Sequence, residues 1–142
     1  ERAGFQPKLM HIIPTLNDSD IAETTRLFAA HFEEAYAEAD YCLGLFGVGA
    51  DGHTAGILPH SPAVGATSTA TYYQSDPYSR ITLTVESLLR LDEAVVFAFG
   101  ENKWPIVHQL ETQELALVEQ PAQLVKRIMK ITLVTDYKGE IA

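Results

Sequence analysis

A short apolar run, Tyr41-Cys42-Leu43-Gly44-Leu45-Phe46, leads directly into a segment with glycine at 47, 49, 52 and 56. Few arrangements restrict a fold more. An almost continuous run of this length suits a strand buried on both faces, as in a parallel sheet. The glycines, followed by Pro59 and Pro62, prevent a long helix from starting after it. In a parallel sheet a loop at that position lies beyond the carboxyl end of the strand, where ligands bind in open α/β sheets.

The rest of the chain repeats strand and helix in turn. Ile21, Phe28, Phe32, Ala35 and Ala39 recur near a 3.6 period and predict an amphipathic helix over 20–39. Asp20 with Glu23 forms a capping-box-like start for it. Segments 67–73 and 80–84 read as strands around a turn at Asp76-Pro77, with a short helix over 85–91. Ala94–Phe99 reads as a second buried strand closed by Gly100, and Ile131–Thr135 as the last strand. Helices are expected over 102–111 and 121–129, the latter with Pro121 in its first turn. Residues 1–18 read as irregular chain. The expected fold class is α/β: a single layered α/β/α domain over 1–142 with a mainly parallel sheet.

Composition excludes several classes. With 19 Asp and Glu against 10 Lys and Arg, the net charge is −9, which opposes sequence-independent nucleic-acid binding. The longest stretch without a charge, Gly52 to Ser75, is rich in Gly, Pro, Ser and Thr, unlike a membrane span. The first residues lack the basic-then-apolar pattern of a signal peptide, so none is expected. One cysteine, Cys42, rules out an internal disulfide framework and fits a reducing compartment, so a cytoplasmic location is expected.

Two strand ends carry candidate chemistry. The first holds a literal G-x-G-x-x-G at Gly47, Gly49 and Gly52, but a dinucleotide site needs a helix opening at the third glycine. What the loop does hold is Asp51, His53 and Thr54. A histidine can take up a proton near neutral pH, and a neighbouring carboxylate would orient it and stabilise its cation. The same two side chains could instead only brace the loop. Asp51, His53 and His60 are too loosely spaced for a recognised zinc pattern. At the second strand end, Lys103 lies in the first turn of a helix, a place suited to phosphate. Arg80 on the preceding β segment could add a planar fork; as a plain alternative, both are solvated surface charges. Cys42 reads as a buried hydrophobe, Ser61 lacks a nucleophile elbow, and Trp104 and Tyr72-Tyr73 read as packing residues.

Taken together, these residues resemble one family. Leu45–Pro59 closely resembles the signature of the 6-phosphogluconolactonases, written G-x-G-x-D-G-H-T-A-S-L-F-P. Arg80–Thr84 is similar to that family's R-[IV]-T-L-T, and Gly100 with Lys103 to its G-x-x-K, in matching order and spacing. His11-Ile12-Ile13-Pro14 and the 20–39 helix are similar to the family's approach to the signature. Thr54 and Pro59 resemble the lactonase version rather than that of the related glucosamine-6-phosphate deaminases, whose H-I-A-F-N-E-P-like residues are absent. Gly56 stands in place of the usual serine, and Pro59-His60 in place of Pro-Gly. The family's N-terminal Gly-Gly-Ser/Thr-Pro-like loop and Asp-Glu-Arg segment are not found in these 142 residues.

The resemblance implies a sugar-phosphate isomerase-like fold of which this chain is the C-terminal part. It implies hydrolysis of 6-phospho-D-glucono-1,5-lactone to 6-phosphogluconate, in the pentose phosphate pathway, with no metal and no cofactor. His53 would be the general base, Asp51 its partner, and the backbone N–H groups of Gly47, Gly49 and Gly52 candidate oxyanion donors. Thr54, Arg80 and Lys103 would contact the substrate, a phosphorylated sugar lactone. An open sheet edge would favour a homo-oligomer or a complementing N-terminal segment, and the chain alone is expected to be weakly active or inactive. A glucosamine-6-phosphate isomerase or deaminase, or a non-catalytic sugar-phosphate-binding module, are the alternatives.

Overall fold

The computed structural model describes residues 20–139; the expectations for 1–18, including His11–Pro14, lie outside the described residues. Helix α1, Ile21–Glu38, starts where its sequence puts it, with the Asp20 side chain accepting from the Glu23 N–H at 2.9 Å. Only half of a capping box forms, because the Glu23 carboxylate turns instead to Arg26, at 2.6 and 2.7 Å. Phe28 and Phe32 stack along the inner face with ring centroids 4.9 Å apart. Tyr36 donates its hydroxyl to the Ser87 carbonyl at 3.1 Å and lies under the Arg90 guanidinium.

Strands β1 (Leu43–Gly47), β4 (Glu93–Ala98) and β5 (Lys130–Thr135) form a parallel sheet in the order β1-β4-β5. Strands β2 (Ala70–Ser75) and β3 (Tyr78–Leu83) pair antiparallel as a separate hairpin around the turn at Asp76-Pro77. The four-residue helix α2 (Val85–Leu88) follows, capped by Thr84. The registers Gly47↔Phe97 and Ala98↔Thr135 align the carboxyl ends of all three parallel strands. The chain segments leaving them therefore emerge side by side.

Alternation sets the two faces of this sheet apart. On one, Phe46, Ala94, Val96 and Ala98 are buried, and helix α3 (Trp104–Thr112) contributes Ile106, Val107 and Leu110. Burying a side chain the size of Val96 stabilises the fold by roughly 1.5–3 kcal/mol. On the other face, Leu43, Leu45 and Phe97 are 53%, 70% and 42% exposed. This corrects the expectation that 41–46 is buried on both faces: β1 is an edge strand covered on one side among the described residues. The segment 121–127 also differs from expectation, forming a 3₁₀ helix (Pro121–Arg127) rather than an α-helix. Pro121–Val125 are all buried there, so tertiary packing overrides any one-faced helical period. No helix among the described residues is long and apolar enough to cross a membrane.

Candidate active site

The loop after β1 folds back on itself through paired backbone groups. Val48 bridges Thr54, and Thr54 bridges Ile57, both antiparallel, so no helix opens at Gly52 and no dinucleotide turn is formed. Gly52 has φ of +82°, a conformation that L side chains rarely adopt. Its carbonyl accepts from the Ala122 N–H at 2.9 Å, which ties the loop to the 3₁₀ segment below.

At the turn's tip, His53 Nδ1 and Asp51 Oδ1 lie 2.6 Å apart. The His53 backbone N–H donates to the same oxygen at 3.2 Å. The Nδ1 side of the ring is thus engaged, and the His53 side chain is 42% exposed. Burial pushes the Asp51 carboxyl up. The bonds from the His53 backbone and ring, with the attraction of the imidazole, outweigh that and hold it below its ordinary value. Gly49 makes room for this pair: a Cβ there would overlap the His53 ring and come within 2.5 Å of Asp51 Oδ1.

Other residues singled out in the sequence fall into different places. The N–H of Gly49 donates to the His53 carbonyl and that of Gly52 to the Gly49 carbonyl, each at 2.9 Å. Both N–H groups are thus engaged within the turn. Gly47 closes β1, and its carbonyl accepts from the Thr54 hydroxyl at 2.8 Å. Thr54 is fully buried and braces the loop from beneath.

Lys103 and Arg80 lie on two other elements. Lys103 ends a 3₁₀ turn, Glu101–Lys103, immediately past β4, and its N–H donates to the Gly100 carbonyl at 2.9 Å. Its ammonium takes part in no ion pair among the described residues. Arg80 pairs with Tyr73 across the hairpin, on the face that also carries Thr82. That face is fastened to the loop: Tyr73 donates its hydroxyl to the Gly56 carbonyl at 2.7 Å, and Thr82 to the Ala55 carbonyl at 2.6 Å. The Arg80 Nε is buried without a partner among the described residues. No hydrogen bond or ion pair joins Lys103 or Arg80 directly to His53 or Asp51.

Three supports escaped the sequence reading. Gln120, 3% exposed, packs under Gly52, where an added Cβ would meet its Cγ at 2.7 Å. Tyr73 fastens the hairpin, and Asp136 closes the turn that holds Lys103. Only Asp136 carried a local signal, as a carboxylate just past a strand's carboxyl end.

A model of the family described as glucosamine-6-phosphate isomerases/6-phosphogluconolactonase matches residues 2–133. The 6-phosphogluconolactonase of Synechocystis sp. is 26% identical over 110 residues, 77% of this chain and 43% of that protein. The crystal structure of 6-phosphogluconolactonase from Thermotoga maritima is similar with a TM-score of 0.68 at 21% identity, covering 82% of this chain and 51% of the other. A monomeric glucosamine-6-phosphate deaminase is similar with a TM-score of 0.71 at 17% identity, over 88% and 56% of the two chains. The chain spans about half the length of the relatives it matches. The structural likeness establishes the α/β fold with a parallel sheet that the sequence implied.

Proposed function

The chain belongs to the family of glucosamine-6-phosphate isomerases and 6-phosphogluconolactonases, and from that premise we propose that it carries the base and part of the phosphate site of a sugar-phosphate lactonase. The observation that supports this most is the 2.6 Å contact between His53 Nδ1 and Asp51 Oδ1 on a loop at the sheet's carboxyl end. In the reaction, His53 Nε2 takes a proton from a water as that water attacks the carbonyl carbon of 6-phospho-D-glucono-1,5-lactone. Asp51 holds the ring and stabilises the imidazolium so formed. Collapse of the tetrahedral intermediate breaks the bond to the ring oxygen. The proton on Nε2 passes to that oxygen, which leaves a neutral histidine and the new carboxylic acid, and this releases its proton to solvent to give 6-phosphogluconate.

Lys103 and Arg80 take the 6-phosphate, an assignment supported by a Lys103 ammonium with no ion pair and an Arg80 Nε with no partner among the described residues. A buried guanidinium N–H without an acceptor is costly, and a phosphate oxygen would satisfy it. Binding at the phosphate then fixes the position of the remote carbonyl against His53.

The test is lactone hydrolysis above the spontaneous rate by the polypeptide that contains residues 1–142. His53→Ala is expected to lower kcat by at least about 100-fold, the usual scale of a general base; unchanged turnover would refute the assignment. Lys103→Ala is expected mainly to raise KM. Release of ammonia from glucosamine 6-phosphate would overturn the lactonase reading, whereas Thr54 and Pro59 in the signature favour it.

A further inference from the structure

The Gly100–Lys103 turn is held from outside by one carboxylate. Asp136 follows β5, and the register Ala98↔Thr135 sets it beside the end of β4. Both of its oxygens accept from the Gly100 N–H, at 3.1 Å each, and Oδ1 also accepts from the Trp104 indole at 3.0 Å. These two donors flank Lys103: Gly100 begins its turn and Trp104 is the residue after it. Gly100 has φ of +99° and ψ of 144°, a backbone conformation that is strained for any other residue and is kept where the surroundings fix it. Lys103 has helical φ and ψ at the start of α3, and no side-chain bond caps that helix. Asp136 anchors the turn together with the turn's own bonds, from Lys103 N–H to the Gly100 carbonyl and from Trp104 N–H to the Glu101 carbonyl.

A carboxylate at this place is unexpected beside a lysine assigned to an anion. It would repel a phosphate and could pair with the ammonium. Instead its lone pairs are occupied by two neutral donors, and no ion pair to Lys103 forms. Hydrogen bonds from neutral N–H groups to an ionised carboxylate are among the stronger polar contacts. The carboxylate directs them at the Gly100 N–H and the Trp104 indole, and the Lys103 ammonium takes part in no ion pair among the described residues.

We propose that Asp136 is a positioning residue for the phosphate site: by clamping Gly100 and Trp104 it fixes the backbone from which Lys103 reaches the anionic end of the substrate. This rests on the reading of Lys103 as a phosphate ligand. Two consequences distinguish it from general bracing. Its effect on binding must pass through Lys103, and it must be visible at Trp104, the sole tryptophan of the chain.

The experiment measures the affinity of 6-phosphogluconate by calorimetry for wild type, Lys103→Ala, Asp136→Ala, Asp136→Asn and the Lys103→Ala/Asp136→Ala double variant. Indole emission and thermal melts are recorded on each. Asp136→Ala is expected to weaken binding about tenfold, the scale of one charged hydrogen-bonded contact, and to shift Trp104 emission. Asp136→Asn keeps an acceptor oxygen and is expected to recover most of the affinity, and it stands in should Asp136→Ala fail to fold. The double variant is expected to bind no more weakly than Lys103→Ala alone, since removing Lys103 removes what Asp136 positions.

The outcomes separate the two claims. If Lys103→Ala binds like wild type, or wild type does not bind 6-phosphogluconate, the phosphate reading falls and this inference with it. If Lys103→Ala weakens binding but Asp136→Ala does not, only the positioning role is overturned. Additive losses in the double variant would likewise refute it, by showing that Asp136 acts independently of Lys103.

Discussion

The tip of the β1 loop works because three neighbouring residues fit one another sterically and electrically. Gly49 leaves the space that the His53 ring and the Asp51 carboxylate occupy. In Gly49→Ala the movable ring must give way, so the Asp51–His53 bond is expected to break with little loss of fold. The expected result is a fall of at least tenfold in lactone turnover while the melting temperature changes little; equal turnover would show that the pair is not needed. A second prediction concerns acid. Despite burial, the bonds from His53 hold Asp51 below its ordinary value; the Trp104 indole and Gly100 N–H do the same for Asp136. A carboxyl depressed on folding adds stability above its unfolded value of about 3.9. That contribution disappears as pH falls through the lower, folded value. Thermal melts should therefore be insensitive to these two groups from pH 5 to 7 and drop below about pH 4, with a shallower drop in Asp51→Asn. Both Asp51 and His53 were legible in the sequence because they stand two positions apart on one turn, where contact needs no long-range folding.

Elements were legible in proportion to how local their causes are. Helix α1 starts and ends within a residue of its sequence-predicted bounds, because a 3.6 period and an Asp20 cap act within a few residues. Asp20→Ala is expected to cost about 1 kcal/mol in urea denaturation, the usual loss for an N-cap. At 121–127 the sequence predicts an α-helix and the chain forms a 3₁₀ helix, because five successive residues from Pro121 to Val125 are buried, a pattern imposed by the surrounding core. The hairpin was foreseen as two β segments, but not its fastening to the loop. Tyr73, 7% exposed, bridges the Gly56 carbonyl and the Leu58 N–H. Tyr73→Phe leaves both without that partner and is expected to destabilise the fold by about 1–3 kcal/mol, measured by the same urea titration.

At the scale of the whole molecule, the parallel sheet has one packed face and one that presents Leu43, Leu45 and Phe97 to solvent. Hydrophobic character alone could not tell these faces apart, since Leu45 and Phe46 are both apolar and adjacent. Leu45→Lys is expected to change stability by no more than about 0.5 kcal/mol, as for other exposed positions; a larger loss would show that this face is covered in solution. The alignment of strand ends has the greater consequence for the site. It brings the His53 loop, the Lys103 turn and Asp136 to one rim from positions separated by dozens of residues.

By itself, the sequence determined the α/β class, the capped first helix, the glycine turn and the adjacency of Asp51 and His53. These follow from periodicity, steric freedom and short separations, which a chain carries locally. The tertiary structure decided which groups remain free to bind. It engaged the Gly49 and Gly52 N–H groups within the turn, buried Thr54, gave Lys103 no ion pair among the described residues and set Asp136 against Gly100. A hydrogen bond has a limited number of partners, and which distant group takes each one is settled only when strands align and the core closes.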